Sequence, residues 1–374
     1  MWQVTDLFQY ETTETHQLLR SKEFLAIVAI FVMKLFLILI NFPDFNTDMV
    51  RNLQYGEAFW SHGFFNVYNL YPNDIDPGNP SNVYLTQTFS YPVFHLLFFA
   101  FFAILPYSVF ILKVFLAFID ILIFYEVKKD LGLKWAIFIS LFQIIFTLYG
   151  LVDGITLLLI LYSARRYNNG DKRAAYLLAI FGIFWKYVSV VLLVYYIIND
   201  YNNKNTLHVK DSIFNYSIVI ITSIGMLPLF FSQYILKFIE WQFNNGYLNN
   251  QDIPSEIPIA EQAVYRLYDQ AGWNDDALSI WALIQGNLNP AALVMLAIFV
   301  YTAYRLIVKK ELNFLPLVLI SFSLILIKRM MIWYFLYAFP MILFLKIKDK
   351  DQFLWIYVGA FIIGLGYFGF LVFF

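Results

Sequence analysis

Long, unbroken apolar runs are the feature that most restricts this chain. They recur near Phe24–Ile40, Tyr91–Leu105, Tyr107–Tyr125, Lys134–Tyr149, Ile155–Tyr162, Ala174–Ile198, Ser212–Phe231, Pro290–Val308, Phe314–Ile327, Met330–Leu345 and Phe353–Phe374. A helix needs about 20 apolar residues to cross the hydrocarbon core of a bilayer, and several of these runs approach that length. They are continuous instead of alternating, which argues against an outer-membrane barrel. The expected fold is all-α, a polytopic transmembrane helix bundle of about 10–11 helices, some too short to cross alone.

Composition points the same way. Of 374 residues, 61% are hydrophobic and only 14% are charged, where a soluble domain carries about 25% charged residues. With no cysteine in the chain, disulfides, thiol nucleophiles and cysteine-bound metals are excluded. The segment before Phe24 is polar and partly acidic (TDLFQYETTETH), unlike the short basic start of a signal peptide. Phe24–Ile40 is therefore expected to be a retained first transmembrane helix.

Lysine and arginine accumulate on the cytoplasmic side of membrane proteins. That bias places EVKKDLGLK (Glu126–Lys134), ARRYNNGDKR (Ala164–Arg173), Lys309 with Lys310, and KIKDKDQ (Lys346–Gln352) inside. The interval 41–92 carries Asp44, Asp48, Glu57, Asp74 and Asp76 against the single Arg51. The interval 232–289 carries Glu240, Asp252, Glu256, Glu261, Asp269, Asp275 and Asp276 against Lys237 and Arg266. Both read as extracytoplasmic loops of one integral-membrane domain, 1–374. Putting 41–92 outside and Glu126–Lys134 inside requires an odd number of crossings over Tyr91–Tyr125, although Pro106 divides that stretch in two. Either one piece is re-entrant or one basic loop breaks the charge rule.

Several polar residues stand out. TDMVRNLQYGEAFW is amphipathic at helical spacing and suits a helix lying on the membrane surface. Asp48 at its head is either a site carboxylate or a helix-terminal charge that favours the dipole, and Asp44 competes for the first role. Asp153 in YGLVDG is either a functional carboxylate at the membrane boundary or part of an Asp-Gly turn. Lys186 in FWKY lies deep in Ala174–Ile198 and needs an anionic partner or a wet cavity, although a lysine can also snorkel. A phosphate would serve as that partner. Lys328 and Arg329 form a basic pair beside Trp333, Tyr334 and Tyr337, suited to a phosphate through the bidentate fork of arginine. Asp120 is expected to pair with Lys34 or Lys113 as a structural ion pair outside the site. The histidines have no metal-ligand spacing, and His95 could line a cavity. Asp74 and Asp76, beside Pro77 and Gly78, read as turn residues. No cofactor is expected, and a divalent metal is not favoured.

Together these segments resemble the GT-C class of integral-membrane glycosyltransferases, which use polyprenyl-phosphate sugars. Within that class they resemble the mannosyltransferase branch that includes the catalytic subunit of GPI mannosyltransferase I. The likeness rests on TDMVRNLQYGEAFWSHGFFNVY with the later FSYP, on LVDG, on FWKY and on KRMMIWYFLYAFP. Where that GPI enzyme has a paired Asp-x-Asp, this chain has TDMV. The resemblance implies that Asp48 is the catalytic base and Asp153 a second site acid, with Lys186 and Lys328 or Arg329 on the carrier phosphate. Arg51, Tyr55, Tyr91 and Tyr334 are the candidates for other substrate contacts.

A sugar on a lipid phosphate already has a good leaving group. The protein must supply a base for the acceptor hydroxyl and positive charge for the departing phosphate. One carboxylate suffices and inverts the anomeric centre, in contrast with the carboxylate pair of glycoside hydrolysis. The expected function is transfer of a sugar, mannose by resemblance, from a polyprenyl-phosphate carrier to a glycan, lipid or protein acceptor. The chain would be a multi-pass protein of a prokaryotic plasma membrane or a eukaryotic endoplasmic reticulum, with an extracytoplasmic site and no nucleic-acid partner. The alternative is a transporter or flippase for a lipid-linked or small polar substrate, whose intramembrane Lys and Asp would be translocation residues.

Overall fold

A computed structural model describes residues 22–40, 47–68, 70, 89, 91–202, 217, 290–326 and 335–373, and every regular element among them is helical. Helix α1 (Lys22–Ile40) is inside out by the standard of a water-soluble helix. Its buried residues are Ile30, Lys34 and Ile38, while Leu25, Val32, Phe36 and Leu39 are exposed. Water penalises exposed apolar area of that kind, and hydrocarbon does not. The buried stripe packs on α5 (Ser108–Leu131). Glu23 at the start of α1 is ion-paired with Lys128 near the end of α5, and Lys34 with Asp120, so the two helices run antiparallel. Both are long and apolar enough to cross a membrane, at about 28 and 36 Å for a rise of 1.5 Å per residue.

Between them, α2 (Thr47–His62), the single turn α3 (Phe64–Val67) and α4 (Val93–Ala103) form a compact unit. The amphipathic segment seen in the sequence is α2. It approaches α4 closely because Gly56 has no side chain: a Cβ there would lie 2.5 Å from the backbone oxygen of Phe99. Trp60 Nε1 donates to the Ala100 carbonyl at 2.9 Å, tying the same two helices. After α4, Pro106 and a left-handed Tyr107 (φ 54°) turn the chain into α5. The stretch Tyr91–Tyr125 is thus one short helix and one long one, and α4, at about 16 Å, falls well short of the roughly 30 Å hydrocarbon core.

The next apolar runs are less continuous than their sequences suggest. Lys134–Tyr149 becomes α6 (Leu133–Phe142) and α7 (Ile144–Tyr149), parted at Gln143. Then α8 (Asp153–Asn168) runs back. Ala174–Ile198, which reads in sequence as one helix, is a hairpin. Its arms are α9 (Lys172–Trp185) and α10 (Val190–Asn202), joined at Lys186 and a 3-10 turn over Tyr187–Ser189. Two contacts account for the reversal. Gly182 makes room for Ser189, whose Oγ would lie 2.5 Å from a Cβ at that position. At the open end, Lys172 Nζ donates to Asp200 at 2.7 Å, and the Tyr167 and Tyr176 hydroxyls reach the same carboxylate at 2.7 and 3.2 Å.

The C-terminal part comprises α11 (Pro290–Ile307), α12 (Leu315–Leu326), the short α13 (Phe335–Ala338), a 3-10 segment over Phe339–Phe344, and α14 (Ile347–Phe373). The described half of Met330–Leu345 is therefore not one continuous α-helix. The basic segments gather at one end of the bundle. There Arg165 of α8 meets Glu126 of α5, Lys172 meets Asp200, Arg305 of α11 meets Glu311 and Asp349, and Lys134 lies 4.4 Å over the Trp355 ring. Residues 71–88 of the first acidic loop and the whole of the second, 232–289, lie outside the described residues.

The α2–α4 contact is testable. Gly56→Ala is expected to force the two backbones apart and destabilise the protein by about 1–3 kcal/mol. The check is a lowered thermal midpoint of the detergent-solubilised protein, with Glu57→Ala at an exposed position of the same helix as a control that creates no clash.

Candidate functional site

The end opposite the basic cluster is built around the first residue of α8. The chain leaves α7 through Gly150, which is left-handed (φ 61°) and donates to the Phe146 carbonyl. Within two further residues Asp153 opens α8. The positive end of the helix dipole favours a carboxylate at that position. Asp153 is buried, so the negative charge also needs a direct partner.

Lys186 supplies it. The residue terminates α9 with an extended backbone (φ −156°, ψ 130°), and its N–H bonds to the Gly182 carbonyl at 2.7 Å. The side chain leaves the hairpin tip, and Nζ donates to Asp153 Oδ1. The hydroxyl of Tyr337, on α13, donates to the same oxygen. The ammonium also lies 5.4 Å from the centre of the Tyr337 ring, where the negative face attracts it. Three separate elements thus converge on one carboxylate oxygen.

An aromatic wall stands beside this pair. His95 of α4 is buried, stacks on Tyr91 with centroids 4.0 Å apart, and lies 5.3 Å from the Trp185 ring. The charges of Lys186 and of Arg51 on α2 act on its ring. Buried polar atoms without a hydrogen-bond partner among the described residues include Trp185 Nε1 and Ser189 Oγ, on either side of Lys186 in the chain, and Asn52 Oδ1 on α2. Buried polar atoms of that kind are uncommon and call for an explanation. A polar ligand is one.

Asp48 lies in the first turn of α2, and its side chain is outside the described residues. Its neighbour Met49 packs against Gly150, with Sδ 2.4 Å from where a glycine Cβ would stand. Met49 shares an apolar cluster with Val152 and Trp185. Each of Asp48, Asp153 and Lys186 is therefore one residue from a member of that cluster, which brings the starts of α2 and α8 and the hairpin tip together. Tyr55 is placed differently. It is buried among Tyr68 and Phe89, and its hydroxyl donates to the Leu70 carbonyl at 3.1 Å. Lys328, Arg329 and Tyr334 lie outside the described residues. Tyr337 is the residue that sequence reading passed over. In the sequence it is one of three aromatics beside Lys328 and Arg329, and its contact with Asp153 is what distinguishes it.

Comparison with known proteins supplies no relative: no family model, no characterised protein and no solved structure matches the chain.

Removing one partner of a buried ion pair costs about 3–5 kcal/mol because the other charge is left uncompensated. Lys186→Met is expected to lose stability on that scale, and Lys186→Met with Asp153→Leu to regain most of it. Denaturation of the single and double variants in detergent checks both, and equal instability of the two would contradict the pairing.

Proposed function

We propose that the chain is a multi-pass membrane glycosyltransferase that moves a sugar, mannose by resemblance, from a polyprenyl phosphate to an acceptor hydroxyl on the extracytoplasmic side. The observation that carries the reading is a partly exposed lysine at a hairpin tip, held against a buried helix-start aspartate at the end of the bundle where α2 begins. In this reading Asp48 takes the proton of the acceptor hydroxyl and the freed oxygen attacks the anomeric carbon. The bond from that carbon to the phosphate oxygen breaks, and the phosphate leaves with the electron pair. Lys186, with Lys328 and Arg329, stabilises the charge that develops on the phosphate. Asp153, as the counter-ion of Lys186, holds the ammonium aimed until the phosphate competes for it, and Tyr337 steadies the same oxygen. Arg51 and Tyr91 line the acceptor or sugar side.

The lengths of the helices support the topology this requires. With α4 too short to cross, α5 makes the single crossing that puts the acidic interval 41–92 and the basic Glu126–Lys134 on opposite faces. The isoprenoid tail would lie against apolar outer surface of the kind α1 presents.

A second reading, transport of a lipid-linked or small polar substrate, is favoured by one specific observation. Two apolar runs are interrupted, at Gln143 and at Lys186, and broken helices lining a site are a transporter feature.

The experiment uses purified protein in detergent with a labelled polyprenyl-phosphate mannose, and it measures release of free polyprenyl phosphate. Asp48→Asn is expected to lower release by at least about a hundredfold, the contribution of a general base, without moving the unfolding midpoint. Near-normal release by the variant removes Asp48 from the role of base. Absence of release by the native protein with mannosyl, glucosyl and arabinosyl donors favours transport.

A further inference from the structure

A second ion pair, this one fully buried, stands at the same helix start, and the proposed reaction does not use it. Lys34 of α1 and Asp120 of α5 are ion-paired and shielded from solvent. Lys34 Nζ also donates to Thr147 Oγ1 at 3.1 Å and to the Gln143 carbonyl at 3.3 Å, so the three donors of its ammonium each have an acceptor. Thr147 Oγ1 in turn donates to Asp120 Oδ2 at 3.4 Å. Stability alone is a weak explanation for such a network, because apolar residues of similar volume often do as well or better.

Its position suggests another. Asp120 Oδ1 lies 3.2 Å from where a Cβ on Gly154 would be, and Gly154 follows Asp153 directly. The Asp120 carboxylate therefore abuts the first turn of α8, one residue from the carboxylate that holds Lys186. Its partners are Lys34 on α1 and Thr147 on α7, and Lys34 also holds the Gln143 carbonyl at the α6–α7 break, so these elements meet α5 at the point where α8 begins.

We propose that Lys34 and Asp120 are positioning residues: their ion pair holds the first turn of α8 where the Asp153 carboxylate meets Lys186 and Tyr337. As a statement about placement this stands alone; as a statement about turnover it rests on the glycosyltransferase reading. Without Lys34, the Asp120 carboxylate is uncompensated at the start of α8. The contacts that tie α1 and α7 to Asp120, and through it to the first turn of α8, are then lost. The turn shifts and Lys186 loses its partner.

The test reads Lys186 directly. Full-length protein in detergent is treated briefly with acetic anhydride, and acetylation of Lys186 is measured by mass spectrometry. Lys172, paired with Asp200 at the opposite end, serves as the internal control. Lys34→Met is expected to raise labelling of Lys186 about fivefold and to leave Lys172 unchanged, and Lys34→Arg to restore native protection. Thr147→Val and Gly154→Ala remove no charge and are expected to shift labelling in the same direction. They carry the test if Lys34→Met does not fold. Native labelling of Lys186 in folded Thr147→Val and Gly154→Ala overturns the proposal, whatever the transfer assay shows. Increased labelling together with reduced polyprenyl-phosphate release supports both readings. Increased labelling in a protein whose native form releases no polyprenyl phosphate upholds the positioning role and sinks the glycosyltransferase reading.

Discussion

Two lysines held against buried aspartates, Lys34 fully buried and Lys186 partly exposed, set the arrangement of the site end of this bundle. An isolated charge in such surroundings costs several kcal/mol and must be neutralised where it stands. Lys34 finds Asp120, and Lys186 finds Asp153. Each pairing is also a packing instruction. The first presses α1 against α5, and the second presses the hairpin tip against the start of α8, with Tyr337 bringing α13 to the same point. Because Gly154 lies between the two carboxylates, the pairs share one helix terminus and its dipole.

The other end of the bundle is polar in a different way. Its ion pairs include more exposed groups, such as Arg166 with Asp171, and they join the ends of neighbouring helices. From Asp153 to Arg165 along α8 the two layers are roughly 18 Å apart at 1.5 Å per residue. Helices confined between those layers are short, which explains why the α9–α10 hairpin fits where a single helix of the same sequence would protrude. The hairpin delivers Lys186 to the site layer, while Lys172 and Asp200 close it in the other.

Some of this was legible from residues alone. The amphipathic spacing of TDMVRNLQYGEAFW corresponds to the body of α2, because a helix with one polar and one apolar face leaves a period in the sequence. The pairing of Asp120 with a lysine on another helix followed from the cost of burying either alone, although Lys34 and Lys113 were equally eligible. Asp153 and Lys186 stood out for the same reason, and the structure places them in contact. The breaks at Gln143 and Lys186 were not legible. A run that is apolar on every side carries no periodic face, so nothing in its pattern records where the chain turns. The role of Tyr337 was hidden as well, because an aromatic near a membrane boundary is ordinary until its hydroxyl is seen on a carboxylate.

By itself, then, the sequence determined that this is a helical chain with apolar surfaces suited to lipid, and which few charged residues had to be accounted for. Hydrophobicity and the cost of buried charge are properties of residues, and they can be read without coordinates. Which lysine met which aspartate, where the apolar runs reversed, and that both ion pairs flank one helix start were decided only in three dimensions. Those outcomes depend on the close approaches that Gly56, Gly150, Gly154 and Gly182 permit, and a glycine in a sequence does not say what will come to lie against it.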